Sequence, residues 1–269
     1  RMKHGQSLSL LLLCLLFVAT MCNPPVADET AKESIPNSET IAPEGFKALF
    51  NGVDLEGWYT VSDGNGPDSL EIFRAENGTI HAYPSQKAGS RQSFAGLVTK
   101  EEYSSYILTF DFKWGEKKFE PRTGNVKDAG VLFHIFDETD FWPYGVECQI
   151  QEGDLGDLWI IGARASARVD ASEHYATNGE LKTKGEIENK YHRFSRSFSW
   201  EVPGWNKVEV EVNGDHATFT INGKVVNEAI DMKYWDAEKN SWEPLTKGKI
   251  LLQAEGAEIF YRNVFIKRL

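Results

Sequence analysis

Val208-Glu209-Val210-Glu211-Val212, Asn213-Gly214, Ala217-Thr218-Phe219-Thr220-Ile221 and Asn222-Gly223 run in succession through the 269-residue chain, and this stretch decides the fold class. Apolar and polar residues alternate with period two, so the valines share one strand face and the glutamates the other. That pattern suits antiparallel strands with one packed face and one wet face. Asn-Gly between alternating runs is a strong hairpin signal. Glu209 and Glu211 are therefore expected in solvent.

The same signature recurs on both sides. Leu70–Arg74 and Thr79–Tyr83 flank Asn77-Gly78, and further strands are predicted at Gly96–Thr99, Tyr106–Trp114, Gly130–Phe136, Gly145–Ile150, Phe194–Trp200, Lys249–Ala254 and Glu258–Lys267. No long stretch has helical periodicity. Short strands separated by Gly and Asn turns predict an all-β sandwich or jelly roll of antiparallel sheets. Residues 160–193 alternate weakly and are rich in Gly, Ser, Thr and charge, so they are expected to form a long functional loop over one face.

The amino-terminal residues have a different character. Met2, the basic Lys3 and His4, the apolar run Leu8–Val18 and the small Ala19 and Thr20 have the layout of a secretory signal, and the run is too short to span a bilayer. Cys22 stands where a lipoprotein signal carries its acylated cysteine. The organisation expected is a signal over 1–22, a flexible tether rich in Pro, Ser, Thr and Glu over 23–44, and one β domain over 45–269. Localisation is expected outside the cytoplasm, in the periplasm or at the outer membrane or cell surface. Membrane association would come only through the lipid.

The chain has three cysteines and a formal charge of −11. Cys14 leaves with the signal and Cys22 is assigned to the lipid, which leaves Cys148 without a disulfide partner. Loss of Arg1 and Lys3 with the signal takes the charge to −13. That balance argues against nucleic acid as a partner and suits a neutral ligand such as a sugar.

Chemistry is expected around Phe141–Asp154. In a strand, Glu147 and Gln149 share one face, and a bulge after Ile150 would return Glu152 to it. Glu, polar residue and Glu at i, i+2 and i+5 are similar to the catalytic strand of family 16 glycoside hydrolases, which are bent β-jelly rolls, although Gln149 replaces the aspartate of that motif. Two carboxyls about 5 Å apart serve retention, and about 6.5 to 9.5 Å inversion. The alternative is a solvated polar sheet face. Upstream, Gly130, Leu132 and His134 fall on one face of the preceding strand, and a histidine there has the pKa range for proton transfer. Trp142, Tyr144 and Trp159 could stack on a sugar or pack in the core. Trp58 and Trp205 read as core, and Arg122 reads as a candidate substrate contact or a solvated side chain.

Several stretches together resemble the 3-keto-disaccharide hydrolase domain family, formerly a domain of unknown function: Phe46–Trp58, Leu97–Tyr103, Ala129–Phe133, Tyr144–Glu152, Gly204-Trp205-Asn206, Leu252-Gln253 and Phe260–Val264. The resemblance implies a concanavalin A-like jelly roll. It also implies activity on glycosides whose C3 hydroxyl a partner glycoside 3-dehydrogenase has oxidised to a ketone. A C3 ketone acidifies the C2 hydrogen, so the reaction needs a base, an acid for the leaving oxygen and a donor for the enolate. On this reading Glu147 is the base, Glu152 or His134 the acid, and Gln149 a donor to the sugar, with Asp154 and Gln253 as further substrate contacts. Many relatives carry histidine where this chain has Glu255. No cofactor is expected, although Glu152, Asp154 and Asp157 could hold a calcium ion. The rival readings are a non-catalytic, lectin-like carbohydrate-binding module, which the same fold supports, and a structural lipoprotein.

Overall fold

Period-two alternation makes strands and Gly and Asn make the turns, and the computed structural model contains strands and turns alone in its regular structure. It describes residues 39–67 and 71–269. The expected signal, with Cys14 and Cys22, and the expected tether up to residue 38 lie outside the described residues, as do Ser69 and Leu70. In chain order the strands are β1 (Lys47–Ala48), β2 (Trp58–Ser62), β3 (Phe73–Glu76), β4 (Thr79–Ala82), β5 (Ala95–Thr99), β6 (Ser105–Lys118), β7 (Gly130–Asp137), β8 (Tyr144–Gln149) and β9 (Leu158–Ile161). They continue as β10 (Ala163–Val169), β11 (Glu180–Lys184), β12 (Tyr191–Phe194), β13 (Asn206–Asn213), β14 (His216–Ile221), β15 (Lys224–Asp236), β16 (Ser241–Pro244), β17 (Lys249–Ala254) and β18 (Ala257–Arg268).

They form two antiparallel sheets, the expected concanavalin A-like jelly-roll sandwich. One has the order β11-β10-β15-β14-β13-β6-β18-β4-β3, with β1 on β18 and β16 on β15. The other is β12-β9-β8-β7-β17-β5-β2. The opening stretch is the hairpin β13–β14 of the larger, first sheet, in register from Val208 opposite Ile221 to Asn213 opposite His216. Val208, Val210, Val212, Phe219 and Ile221 enter the main core with Phe110, Phe133, Val146, Cys148 and Leu252. Glu211 is exposed and Glu209 half-exposed. Each fully buried large apolar side chain contributes about 1.5–3 kcal/mol, so this layer holds the sheets together.

Three expectations need correction. Residues 160–193 are not one long loop: Ala163–Val169 pairs with β11 and β15, and Tyr191–Phe194 pairs with β9. Their charged residues decorate edge strands, which masks the alternation. Phe194–Trp200 is not a strand beyond Phe194, and Phe198 and Trp200 are exposed. The third concerns β7, whose pairing with β8 slips between Phe133 and Asp137, with His134 at φ +51°. The extra residue inverts the alternation: Leu132 and Ile135 face away from the main core, while His134 turns inward.

The face of the seven-stranded sheet turned away from the main core positions the site. Val98, Leu132, Ile135, Ile161 and Leu251 form a second, smaller apolar cluster there, covered by Tyr59, Val61 and Trp142. Trp142 lies on the β7–β8 connection. Lys190 donates to Trp142 O at 2.7 Å and Asp140 Oδ2 at 2.8 Å, and Lys249 bonds Glu138 at 2.6 Å. The connection is thus strapped across one end of the sheet.

Candidate active site

Alternation along three neighbouring strands builds the floor of a cleft at the other end. Gly130 on β7, Glu147 and Gln149 on β8 and Gln253 on β17 face the same way, as does Glu255 just after β17. A cleft of about 410 Å³ opens over them, walled by Trp142, Trp159, Ile161 and Tyr191. Glu147, Gln149, Gln253 and Asp128 are each less than a tenth exposed, although they sit on a sheet's outer face.

Gly130 is required by close approach. A Cβ there would stand 1.8 Å from Glu147 Oε1 and 2.8 Å from Gln253 Oε1, so only a bare Cα lets the two polar groups lie over the strand. The side-chain amide oxygen Oε1 of Gln149 accepts the N–H groups of Ile150 (3.0 Å) and Gln151 (3.2 Å). That leaves its NH₂ free to donate.

Arg122 reaches in from the turn after β6 and forks between two carboxylates, Nη1 to Glu255 Oε1 at 2.5 Å and Nη2 to Asp128 Oδ2 at 2.6 Å. Two carboxyls, Asp128 and Glu255, thus share one guanidinium, and Glu147 lies near them in the same poorly solvated site without a cation of its own. Burial, and then Asp128, push Glu255 up to about 8 against the pull of Arg122. Burial, with Glu255 and Asp128 adding to it, holds Glu147 well above the usual carboxylate range, and Asp128 is raised by burial too. Neighbouring carboxyls whose pKa values are all raised mark a candidate site of proton transfer. Arg122 Nε, Asp128 Oδ1 and Gln253 Oε1 are buried without a hydrogen-bond partner among the described residues. Unsatisfied polar atoms converging on one cleft suit a polar ligand.

Of the residues expected from sequence, Glu147, Gln149, Gln253, Trp142 and Trp159 come together, and Arg122 reaches the carboxylates behind them. His134, Glu152, Asp154 and Tyr144 do not. His134 is fully buried in the core and its Nε2 donates to Gly214 O at 2.7 Å; burial lowers its pKa, so it is a neutral framework group. No bulge follows Ile150: β8 ends, the chain turns, and Glu152 accepts the N–H of Lys127 at 3.2 Å in a different hollow. Asp154 and Asp157 both pair with Arg196, at 2.8 and 2.9 Å, so a guanidinium occupies the position expected for calcium. Among the described residues no group of three or more acidic, histidine or cysteine side chains has metal-binding geometry. Tyr144 points to the opposite face of β8, against Phe136 and under Lys190.

Asp128, Glu255 and Tyr191 were not among the expected site residues. The signal for Glu255 was its place two residues after Gln253, on the same strand face. Asp128, two before Gly130, carried the same signal.

Residues 45–267 match the 3-keto-alpha-glucoside-1,2-lyase-like domain. The chain belongs to that family. The resemblance read from sequence is therefore borne out, and the domain is of a carbohydrate-active kind. A Parabacteroides distasonis protein provisionally named a glycosyl hydrolase is 20% identical, with a TM-score of 0.52 over 86% of this chain and 99% of its own, which shows a shared fold. A second such protein from the same organism is 22% identical, with a TM-score of 0.49 over 83% and 99%. A Bacillus subtilis protein of unknown function with a galectin-like fold is 14% identical, with a TM-score of 0.44 over 86% and 97%. No curated protein matches the chain significantly.

Proposed function

We propose that the cleft cleaves 3-keto-glycosides by β-elimination, with Glu255 as base and Glu147 as acid. The observation that carries this reading is the set of three largely buried carboxyls, two of them sharing a single guanidinium and the third, Glu147, without one, beneath aromatic walls suited to a sugar ring. Glu255, in its ionised form beside Arg122, takes the C2 proton. The electron pair forms the C2–C3 enolate, whose charge Arg122 and the Gln149 amide stabilise. The enolate then expels the C1 substituent, and Glu147, whose burial favours the protonated form, gives its proton to the leaving oxygen. The products are an enone with a C1–C2 double bond and the free aglycone; water can add to the enone afterwards. These roles differ from the expectation that Glu147 is the base, because Glu147 is the more deeply desolvated carboxyl and has no counter-ion.

The substrate must arrive with C3 already oxidised, so a glycoside 3-dehydrogenase acts upstream in this reading. Export is part of the proposal and rests on the signal-like composition of residues 2–22.

The test is turnover in D₂O. Elimination followed by hydration returns a solvent deuteron to C2 of the sugar product within the first turnovers, at a rate above that of buffer-catalysed exchange. Retention of the original C2 hydrogen in the hydrolysed product would overturn elimination in favour of direct displacement at C1. Sugar binding without any release of aglycone would favour the lectin-like module.

A further inference from the structure

A second hollow, of about 570 Å³, opens where the sandwich edge meets the segment leading into β13, bordered by Trp114, Lys127, Glu152, Ser199, Glu201 and Pro203. It is separate from the carboxyl cleft but shares its supports. Lys127 directly precedes Asp128, and Glu152 follows Gln149 by one turn.

Its polar groups are only half satisfied. Glu152 Oε2 accepts the N–H of Lys127 at 3.2 Å, and Glu201 Oε2 accepts the N–H of Gly153 at 2.8 Å. The second oxygen of each carboxylate makes no hydrogen bond among the described residues, and neither carboxylate nor Lys127 forms an ion pair among them. The Trp114 indole N–H is buried and lies near Glu201 without forming a full hydrogen bond. Two acceptors, an ammonium donor and an indole therefore meet in one hollow. Beside it Phe198 and Trp200 are 62% and 43% exposed, in edge contact at 5.1 Å.

We infer that this hollow is a second carbohydrate-binding site, taking an uncharged sugar ring against Trp114 with neighbouring hydroxyls donating to Glu152 and Glu201. Aromatic faces bind the C–H face of a sugar, carboxylates accept paired hydroxyls, and Lys127 donates to a ring or hydroxyl oxygen. The ammonium disfavours a metal ion in the same space, and the two carboxylates disfavour an anion. Such a site would hold a longer saccharide close to the cleft. It does not depend on the chemistry proposed there.

The test is a residue-resolved NMR titration with methyl β-glucoside, methyl α-mannoside and cellobiose. The expected result is saturable shifts of the Trp114 indole N–H and the Gly153 and Gly204 amides, with dissociation constants of roughly 1 mM. Glu201→Gln keeps the acceptor for Gly153 yet weakens binding about tenfold, while cleavage of a small 3-keto-glucoside is unchanged. Glu147→Gln leaves these shifts in place, so failure here and failure of the elimination chemistry are distinguishable. The inference is overturned if none of the sugars moves these signals, if Glu201→Gln leaves the affinity unchanged, or if calcium chloride moves them and sugars do not.

Discussion

Hairpin strand β13 and strand β8 carry the same alternation, yet their glutamates have opposite fates. Val208-Glu209-Val210-Glu211-Val212 and Val146-Glu147-Cys148-Gln149-Ile150 both send apolar residues into the main core. Glu211 is exposed, whereas Glu147 is 5% exposed and lies in a cleft. Alternation fixes which face a glutamate takes; what covers that face decides whether the carboxyl is a solvated charge or a proton donor. Over β13 nothing closes. Over β8 the Trp142 strap, the Arg122 turn and Tyr191 close the face, and the resulting burial raises the carboxyl pKa values of Asp128 and Glu255 against the pull of the Arg122 charge.

The largest expected effect separates the two strands outright. Glu147→Gln should lower kcat/KM on a 3-keto-glucoside by about 10³, within the range for loss of a positioned acid, while Glu211→Gln changes it less than about twofold. Comparable losses in both variants would break the contrast.

A finer probe is Gly130→Ala. Its Cβ would stand 1.8 Å from Glu147 Oε1, so the carboxyl must move. A misplacement of about 1 Å costs up to roughly 10²-fold in rate, and kcat should fall more than KM rises. Unchanged kcat would show that Glu147 need not lie over that strand.

Stability against pH sharpens the comparison further. Glu255 is raised from 4.5 to about 8, so between those values the folded protein keeps a proton that the unfolded chain has lost. Stability on this account falls as pH rises through that window and then levels off. Glu255→Gln should therefore be more stable than the parent at pH 8.5 by about 1–3 kcal/mol, with the gap closing toward pH 4.5, measured by urea unfolding.

The smallest effect belongs to the strap. Lys190→Ala removes the bonds to Trp142 O and Asp140 and should raise KM about two- to fivefold, with kcat nearly unchanged, since loosening one wall weakens binding by less than about 1 kcal/mol. A drop in kcat alone would assign Lys190 a different task.

The sandwich was legible because Val208–Ile221 and the strands around it state their period in apolar residues, and Glu147 with Gln149 was legible for the same reason. His134 was misplaced because a single residue at positive φ reverses the parity of β7, and nothing in Leu132-Phe133-His134-Ile135 announces it. Glu152 was misplaced because a strand end and a bulge read alike in Ile150-Gln151-Glu152. The pairing of Arg122 with Glu255 joins residues 133 apart in the chain and depends on tertiary closure, so local pattern could not reveal it. Tertiary closure also brings Arg196 to the two aspartates considered for calcium.

The most direct test compares aglycone release from a 3-keto-glucoside and from its unoxidised parent, by the wild-type domain and by Glu147→Gln. The account predicts rapid release from the keto substrate alone, and its loss in the variant with the fold intact. Equal cleavage of both substrates, or full activity in the variant, would contradict it.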